Sequence, residues 1–253
     1  MFDAKYGEYT LTDGVVYANC NGEDQRLDIY SPVRSENDKA ALPMILFVHG
    51  GGLHKGDRKQ SYVAEFCGRM VKNGYLCLSV DYRLSEQAVF RDENGKMIAG
   101  DEALLSEALK KSTFDVNEAI KWTRANADSL GGDPERVALC GGSAGGMIIN
   151  TLCYGSDEYT TCRDEGVKAI ISLWGAPWWM DCVPRQGGPA AVYLHGTKDA
   201  IVPFEASVRW HRTLSDAHIP GLLMPLYGGG HTCVEFREEI DAVMRTFLAY
   251  QLS

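Results

Sequence analysis

The sequence predicts an α/β fold, with a mostly parallel eight-stranded sheet and helices on both faces. Eight short apolar segments are spread along the 253 residues, and helical patterns fill most of the gaps between them. From the third segment onward the apolar runs are nearly continuous, which is typical of strands buried on both faces of a parallel sheet. The predicted strands are residues 15–19, 26–30, 44–49, 75–80, 136–140, 168–174, 190–195 and 222–227.

The first two strands differ from the rest because their apolar residues alternate with polar ones. The turn residues Asn21–Asp24 join them, so we expect an antiparallel hairpin at one edge of the sheet. The predicted helices are residues 61–73, 113–127, 205–217 and about 235–250. The last of these helices has one apolar stripe, made of Ile240, Val243, Met244, Phe247 and Leu248, which should face the core.

Two segments interrupt the alternation of strands and helices. Residues 85–111 are longer than a strand-to-helix connection requires, and residues 175–189 are irregular and rich in tryptophan. Both should lie over the carboxyl ends of the strands, where ligands bind in such sheets and where lids occur. We expect residues 1–253 to form a single domain with these two short cap-like segments.

Composition narrows the classes of partner. The 34 acidic and 25 basic residues give a net charge of -9, and the chain has no Lys/Arg run, which argues against nucleic acid and anionic membranes as partners. The N-terminus lacks a signal-peptide pattern, and no apolar run approaches the roughly 18 residues of a membrane span. The sequence as it stands therefore predicts a cytoplasmic protein, or a secreted one if a leader has been removed.

The eight cysteines form no CxxC pair, which makes zinc-ribbon or thioredoxin chemistry a poor explanation for them. We expect most of them to be reduced and to act as small apolar core residues. Cys153 and Cys162 are near enough in sequence to form a disulfide in an oxidising compartment.

The stretch CGGSAGG, residues 140–146, surrounds Ser143 with glycines between a predicted strand and a helix expected near Met147. A sharp strand-to-helix turn would expose the serine hydroxyl, and the helix N-terminus would favour negative charge nearby. This is the pattern of a nucleophile elbow. The alternative, a phosphate-binding glycine loop, lacks the Lys and Ser/Thr that close a P-loop.

A nucleophilic serine requires a base, and the base requires an acid that orients it. His231 follows the last strand through three glycines and precedes the final helix, whereas the other histidines lie at strand ends, in or beside a helix, or in the loop after the third strand. Asp199 lies just beyond the strand 190–195, and Asp181 is the rival acid. The structural alternatives are a solvated loop histidine and a turn aspartate. The order Ser143, Asp199, His231 matches one known catalytic architecture.

The reaction must also stabilise an oxyanion, usually with backbone N–H groups. The motif HGGG, residues 49–52, follows a predicted strand at the position from which such donors come. We expect the N–H groups of Gly51, Gly52 and Ala144 to form the oxyanion hole. The alternative is a purely structural glycine turn.

These pieces resemble the α/β-hydrolase superfamily, close to its hormone-sensitive-lipase-like and carbohydrate-esterase-like carboxylesterases. The resemblance covers nearly the whole chain and rests on motifs in the family's order: QRLDIYSP, PMILFVHGGG, DYRLS, FDVNEAIKWTRANA, GGDPERVALCGGSAGG, HGTKDAIVP and GGGH. It implies the triad and oxyanion hole named above, with no metal and no cofactor. Arg83 and Asp115 match positions that are architectural in the family.

The chain also departs from the family. Leu53 replaces the aromatic residue that often follows HGGG, the long N-terminal cap of many relatives is lacking, and the insertion after the sixth strand is reduced to residues 175–189. The resemblance therefore implies a minimal cap and an open cleft. Leu53, Trp174, Trp178 and Trp179 are the candidate substrate-binding residues, although each tryptophan could equally pack against the sheet.

The sequence thus predicts a serine carboxylic ester hydrolase that acts on short-chain acyl or carbohydrate-linked esters of acetyl or feruloyl type. Its expected partner is a small-molecule or carbohydrate ester. An amidase or peptidase of the arylformamidase or prolyl-oligopeptidase type is the second hypothesis, and a non-catalytic binding protein on the same scaffold is the third. The oligomeric state stays open.

Overall fold

The computed structural model describes residues 5–86, 90–91, 97–98, 102–162, 166–177 and 179–253. The strands in these residues are β1 (Tyr9–Cys20), β2 (Glu23–Pro32), β3 (Leu42–Val48), β4 (Leu76–Val80), β5 (Phe90–Arg91), β6 (Met97–Ile98), β7 (Gly132–Gly142), β8 (Val167–Leu173), β9 (Ala190–Gly196) and β10 (Gly221–Leu226). The helices are α1 (Ser61–Lys72), α2 (Glu102–Ala125), α3 (Ala127–Leu130), α4 (Ala144–Tyr154), α5 (Phe204–Asp216) and α6 (Arg237–Gln251), with a 3-10 turn at Val234–Phe236 before α6.

The predicted sheet is confirmed. Eight strands pair in the order β1-β2-β4-β3-β7-β8-β9-β10, while β5 and β6 form a separate two-stranded ribbon. The hairpin β1–β2 lies at one edge, as predicted, and β2 pairs antiparallel with β4. All pairs from β4 to β10 are parallel. The carboxyl ends of β3, β7, β9 and β10 therefore meet at one edge of the sheet.

Helices cover both faces of the sheet and leave the central strands buried. The core between the sheet and α1 and α6 includes Val63, Phe66, Ile240, Met244 and Leu248. Helices α2, α4 and α5 pack on the other face. The apolar stripe predicted for the last helix accordingly faces the core, with Val243 and Phe247 at its partly buried margin.

An ion pair ties the chain after β4 to α2. The Arg83 guanidinium donates from Nε and Nη2 to the fully buried Asp115 carboxylate at distances of 2.7–3.0 Å, and the Arg83 backbone N–H donates to the same carboxylate. Paired in this way, the buried charge is compensated. The arrangement fits the architectural role that the resemblance implies for both residues.

Two helices begin earlier than the sequence pattern predicts. Helix α2 starts at Glu102 rather than at 113, so the end of the segment 85–111 is helical. Residues 102–111 are mostly strong helix formers, and Ala108 and Leu109 are buried. Helix α4 starts at Ala144, directly after Ser143, rather than near Met147. Residues 87–89, 92–96 and 99–101 of the first cap-like segment lie outside the described residues, and the single-domain organisation stays a prediction.

All eight cysteines lie in the described residues as free thiols. The Sγ atoms of Cys153 and Cys162 are 3.7 Å apart, well beyond a disulfide bond of about 2.05 Å. Their pairing in an oxidising compartment stays a prediction. Among the helices of the described ranges, none combines the length and the apolar character that crossing a membrane requires.

Candidate active site

Ser143 joins β7 to α4 with an unusual backbone conformation. Its φ of 54° and ψ of -120° lie outside the regions that residues with a Cβ normally occupy. Two hydrogen bonds hold it there: the Ser143 N–H donates to the Leu173 carbonyl at 2.9 Å, and the Met147 N–H donates to the Ser143 carbonyl at 3.1 Å. Local strain of this kind persists where the surroundings fix it, as at nucleophile elbows.

The glycines around Ser143 allow backbones to approach closely. A Cβ on Gly145 would collide with the carbonyl oxygens of Val48 and His49, and one on Gly146 would lie 2.8 Å from the Gly175 carbonyl oxygen. Neither glycine has a positive φ. The unusual torsion of the turn therefore falls on the serine itself, while the glycines let α4 pack against the ends of β3 and β8.

We expect Gly145→Ala to lower the free energy of unfolding by about 3 kcal/mol, because the obstructing atoms are backbone carbonyls that cannot rotate away. Gly230→Ala is the control, since its Cβ would meet nothing within 4 Å and should change stability by less than about 0.5 kcal/mol. Urea unfolding of both variants measures the difference. Equal stabilities would contradict the close-approach explanation.

The structure brings the three predicted triad residues together. Ser143 Oγ lies 2.9 Å from His231 Nε2, and His231 Nδ1 lies 2.8 Å from Asp199 Oδ2. Ser143 follows β7, Asp199 follows β9, and His231 follows β10 through the loop 228–230. Because these strands are parallel, residues distant in sequence meet at one edge of the sheet.

Asp181, the rival acid, is exposed, and its backbone carbonyl accepts a hydrogen bond from the Ser156 N–H at 3.0 Å. The carboxylate that contacts His231 within the described residues is that of Asp199. The geometry therefore favours Asp199 as the orienting acid.

The Asp199 side chain is fully buried, and each of its carboxylate oxygens accepts hydrogen bonds. Oδ1 accepts from the backbone N–H groups of Ile201 at 2.8 Å and Val202 at 3.0 Å. Oδ2 accepts from His231 and from His195. Burial raises the pKa of this carboxyl, but the hydrogen bonds from the two histidines and from Ile201 outweigh burial and hold the pKa well below its usual range. Asp199 is therefore ionised.

His195 is the site residue that the sequence analysis missed. It lies in β9 with a fully buried side chain, its Nε2 lies 3.0 Å from Asp199 Oδ2, and its Nδ1 lies 2.7 Å from Ser207 Oγ. The signal in the sequence is its position four residues before Asp199, which brings both side chains to the same side of the turn after β9.

The predicted oxyanion loop, residues 49–52, lies beside Ser143. A Cβ on Gly50 would be 3.1 Å from the Ser143 Cβ. The Gly50 N–H donates to the Tyr62 hydroxyl at 2.7 Å, and His49 Nδ1 lies 2.7 Å from the Gly50 carbonyl oxygen. Burial lowers the pKa of His49, so its neutral ring donates this hydrogen bond through Nδ1–H. These bonds fix the loop. The Gly50 N–H already donates to Tyr62 and is therefore not free to donate to an oxyanion.

Gly51 and Gly52 follow with φ values of 125° and 65°, which favour glycine. Ala144 is the first residue of α4, so its N–H has no acceptor within the helix. Their N–H groups remain the predicted oxyanion donors. Downstream, Arg58 anchors the loop by donating to Asp28 and Asp81, each at 2.6 Å.

A buried polar network supports helix α4. Asn150 Nδ2 donates to the carbonyls of Gly146 at 2.7 Å and Gly175 at 3.3 Å. Asn150 Oδ1 accepts from the Tyr193 hydroxyl at 2.5 Å and from Trp210 Nε1 at 3.1 Å. Helix α4 is thereby joined to β9 and α5, and fully satisfied networks of this kind rigidify a core.

The candidate substrate-binding residues lie deeper than an open cleft requires. Trp174 is 1% exposed and Leu53 is 2% exposed. The Trp174 ring centroid is 6.3 Å from that of Tyr62. Trp179 is half-buried against the core, and Trp178 lies outside the described residues. A role for these four residues in substrate binding stays a prediction.

Comparison with known proteins points to esterases. The carboxylesterase family matches residues 21–172, which include the predicted oxyanion loop and Ser143. Esterase LipC of Mycobacterium tuberculosis is 26% identical over 257 residues, covering 83% of this chain and 58% of that protein. Chlorogenic acid esterase of Aspergillus niger is 29% identical over 172 residues, covering 66% of this chain and 30% of that protein. The chain thus spans little more than half of the first relative's length and less than a third of the second's.

Among solved structures, the thermophilic esterase Est2 of Thermogutta terrifontis with propionate bound has a similar fold. Its TM-score is 0.75 at 21% sequence identity, and the match covers 95% of this chain and 94% of that one. At this level of identity the likeness establishes the fold.

Proposed function

Because the chain belongs to the carboxylesterase family, we propose that it hydrolyses carboxylic esters through an acyl-enzyme formed on Ser143. The observation that carries this proposal is the continuous hydrogen-bonded chain from Ser143 Oγ through His231 to Asp199. A serine hydroxyl is a weak nucleophile until a base accepts its proton. His231 Nε2 is placed to be that base.

In the acylation step, Ser143 Oγ attacks the ester carbonyl while its proton moves to His231 Nε2. Asp199 is ionised, accepts the His231 Nδ1–H hydrogen bond and stabilises the imidazolium that forms. The N–H groups of Gly51, Gly52 and Ala144 are the proposed donors to the oxyanion. His231 then gives this proton to the leaving oxygen as the ester C–O bond breaks, so the product departs as a neutral alcohol.

Deacylation repeats these steps with water as the nucleophile. His231 accepts a proton from water, the hydroxyl attacks the acyl carbonyl, and the proton returns to Ser143 Oγ as the carboxylic acid leaves. The same base thus serves both half-reactions.

We propose esters with short acyl groups, or acetyl and feruloyl esters of carbohydrates, as substrates. The Thermogutta esterase structures with bound propionate and butyrate support a short acyl group. The relative named chlorogenic acid esterase supports an aromatic acyl group.

Turnover of nitrophenyl esters from acetate to decanoate, beside acetylated xylan, methyl ferulate and chlorogenic acid, tests this proposal. We expect the highest kcat/KM on the short nitrophenyl esters, and fluorophosphonate labelling of Ser143. An anilide series serves as the comparison, because an amide needs stronger protonation of its leaving nitrogen. Faster cleavage of anilides than of every ester would instead support the amidase hypothesis, and no cleavage of either would refute hydrolysis.

A further inference from the structure

A fourth side chain, that of His195, contacts the three triad residues through Asp199. His195 Nε2 lies 3.0 Å from Asp199 Oδ2 and 3.0 Å from the Val202 carbonyl oxygen. Neither acceptor bears a hydrogen, so His195 Nε2 must carry the proton. We propose that His195 is a positioning residue that holds the Asp199 carboxylate in line with His231. This inference rests on the proposed esterase function.

Two contacts of α5 keep His195 in this tautomer and orientation. Ser207 Oγ lies 2.7 Å from Nδ1, and with Nε2 protonated the serine hydroxyl donates to Nδ1. The Phe204 ring packs edge-on against the imidazole, with centroids 5.8 Å apart and an interplanar angle of 84°. The imidazole therefore has a partner at each nitrogen and little room to turn.

The shared oxygen has a chemical consequence. Asp199 Oδ2 accepts from two imidazoles, while Oδ1 is held by the backbone N–H groups of Ile201 and Val202. Each donor draws charge from the carboxylate, so His195 reduces the charge that Asp199 presents to His231. Without His195, the carboxylate would attract the His231 proton more strongly and would be less firmly oriented.

Other titratable groups face this pair and remain the same in the variants proposed below. Cys233 follows His231 in its loop, and burial raises the pKa of its thiol to about 12. Glu235 lies on the 3-10 turn after that loop and is exposed. A change in the pH profile when His195 is replaced therefore arises from the lost contact between His195 and Asp199.

The test measures kcat and the pH profile of kcat/KM on nitrophenyl acetate for the wild type and three variants. We expect His195→Phe, which has no donor, to lose roughly 10-fold to 100-fold in kcat. The acidic limb of this variant's pH profile of kcat/KM should move to higher pH by about 0.5 to 1 unit, since His231 would hold its proton more tightly. His195→Gln, whose amide can reach Asp199 as a donor, should restore the wild-type limb and most of kcat.

His211→Phe is the matched control, because this half-buried histidine lies on α5 with its Nε2 3.3 Å from the Gly221 carbonyl oxygen, away from the triad. It should leave both kcat and the acidic limb unchanged. A folded His195→Phe enzyme with the wild-type limb would overturn the inference, whatever its loss of kcat, because a merely structural role would not move the limb.

The inference remains testable if His195→Phe fails to fold. Long-range ¹H–¹⁵N correlation of the histidine rings in the wild type should show His195 protonated at Nε2, assigned from the signal missing in His195→Gln. A ring protonated at Nδ1 alone would overturn the inference. An inactive wild type would refute the proposed function instead, while this spectrum would still report on the contact.

Discussion

Ser143→Ala is expected to lower ester turnover by roughly 10⁴-fold to 10⁶-fold, the largest effect of any single substitution proposed for this chain. Without Oγ no acyl-enzyme forms, and only binding and oxyanion stabilisation remain to assist water. Steady-state kinetics on nitrophenyl acetate measures the loss.

The loss should be in kcat and not in folding. Alanine is smaller than serine, and the hydrogen bonds that hold residue 143 are made by its backbone, so the urea midpoint should change little. Near-wild-type turnover by a folded Ser143→Ala enzyme would refute the nucleophile assignment.

Asp199→Asn is expected to lower kcat about 10⁴-fold. The amide nitrogen of asparagine cannot accept a hydrogen bond from His231 Nδ1–H. If the amide turns its NH₂ group towards Nδ1, the neutral ring must carry its proton on Nε2 instead. Nε2 is the atom that has to accept the serine proton. The buried His195 Nε2–H would compete for the same amide oxygen, so the variant cannot satisfy both rings equally well.

Asp181→Asn makes the same chemical change at the exposed rival and should leave kcat within about twofold. Measuring both variants on one ester gives a direct comparison of the two aspartates. If Asp181→Asn were the more damaging change, the acid would have been assigned to the wrong residue.

The order of strands and the juxtaposition of the triad were predictable because both follow from local patterns. Ser143, Asp199 and His231 each come directly after an apolar strand, and parallel strands bring their carboxyl ends to one edge. Residues far apart in sequence could therefore be placed together without knowledge of any side-chain contact. The early start of α2 at Glu102 was missed because residues 85–111 were assigned to a cap-like segment, although Leu105, Ala108 and Leu109 continue the apolar face of the helix through its first turns.

Side-chain direction at the ends of strands was not predictable. Trp174 was expected beside an open cleft, but its φ of 41° accompanies an almost fully buried ring. His195 was set aside as a residue at the end of a strand, although the turn after β9 brings Asp199 back towards it. Both outcomes depend on a few backbone torsions, and hydrophobic periodicity carries no information about them.

The order of the site residues along the chain also matters during synthesis. Ser143 and the oxyanion loop leave the ribosome well before Asp199, and His231 follows last, just ahead of α6. Chains are made at about 5 to 20 residues per second and fold progressively from the N-terminus. A nascent chain that does not yet include His231 thus carries the serine without its proposed base, while α6 is not yet available to cover its face of the sheet. By the proposed mechanism, such a chain would expose apolar surface of the sheet before it could cleave any ester.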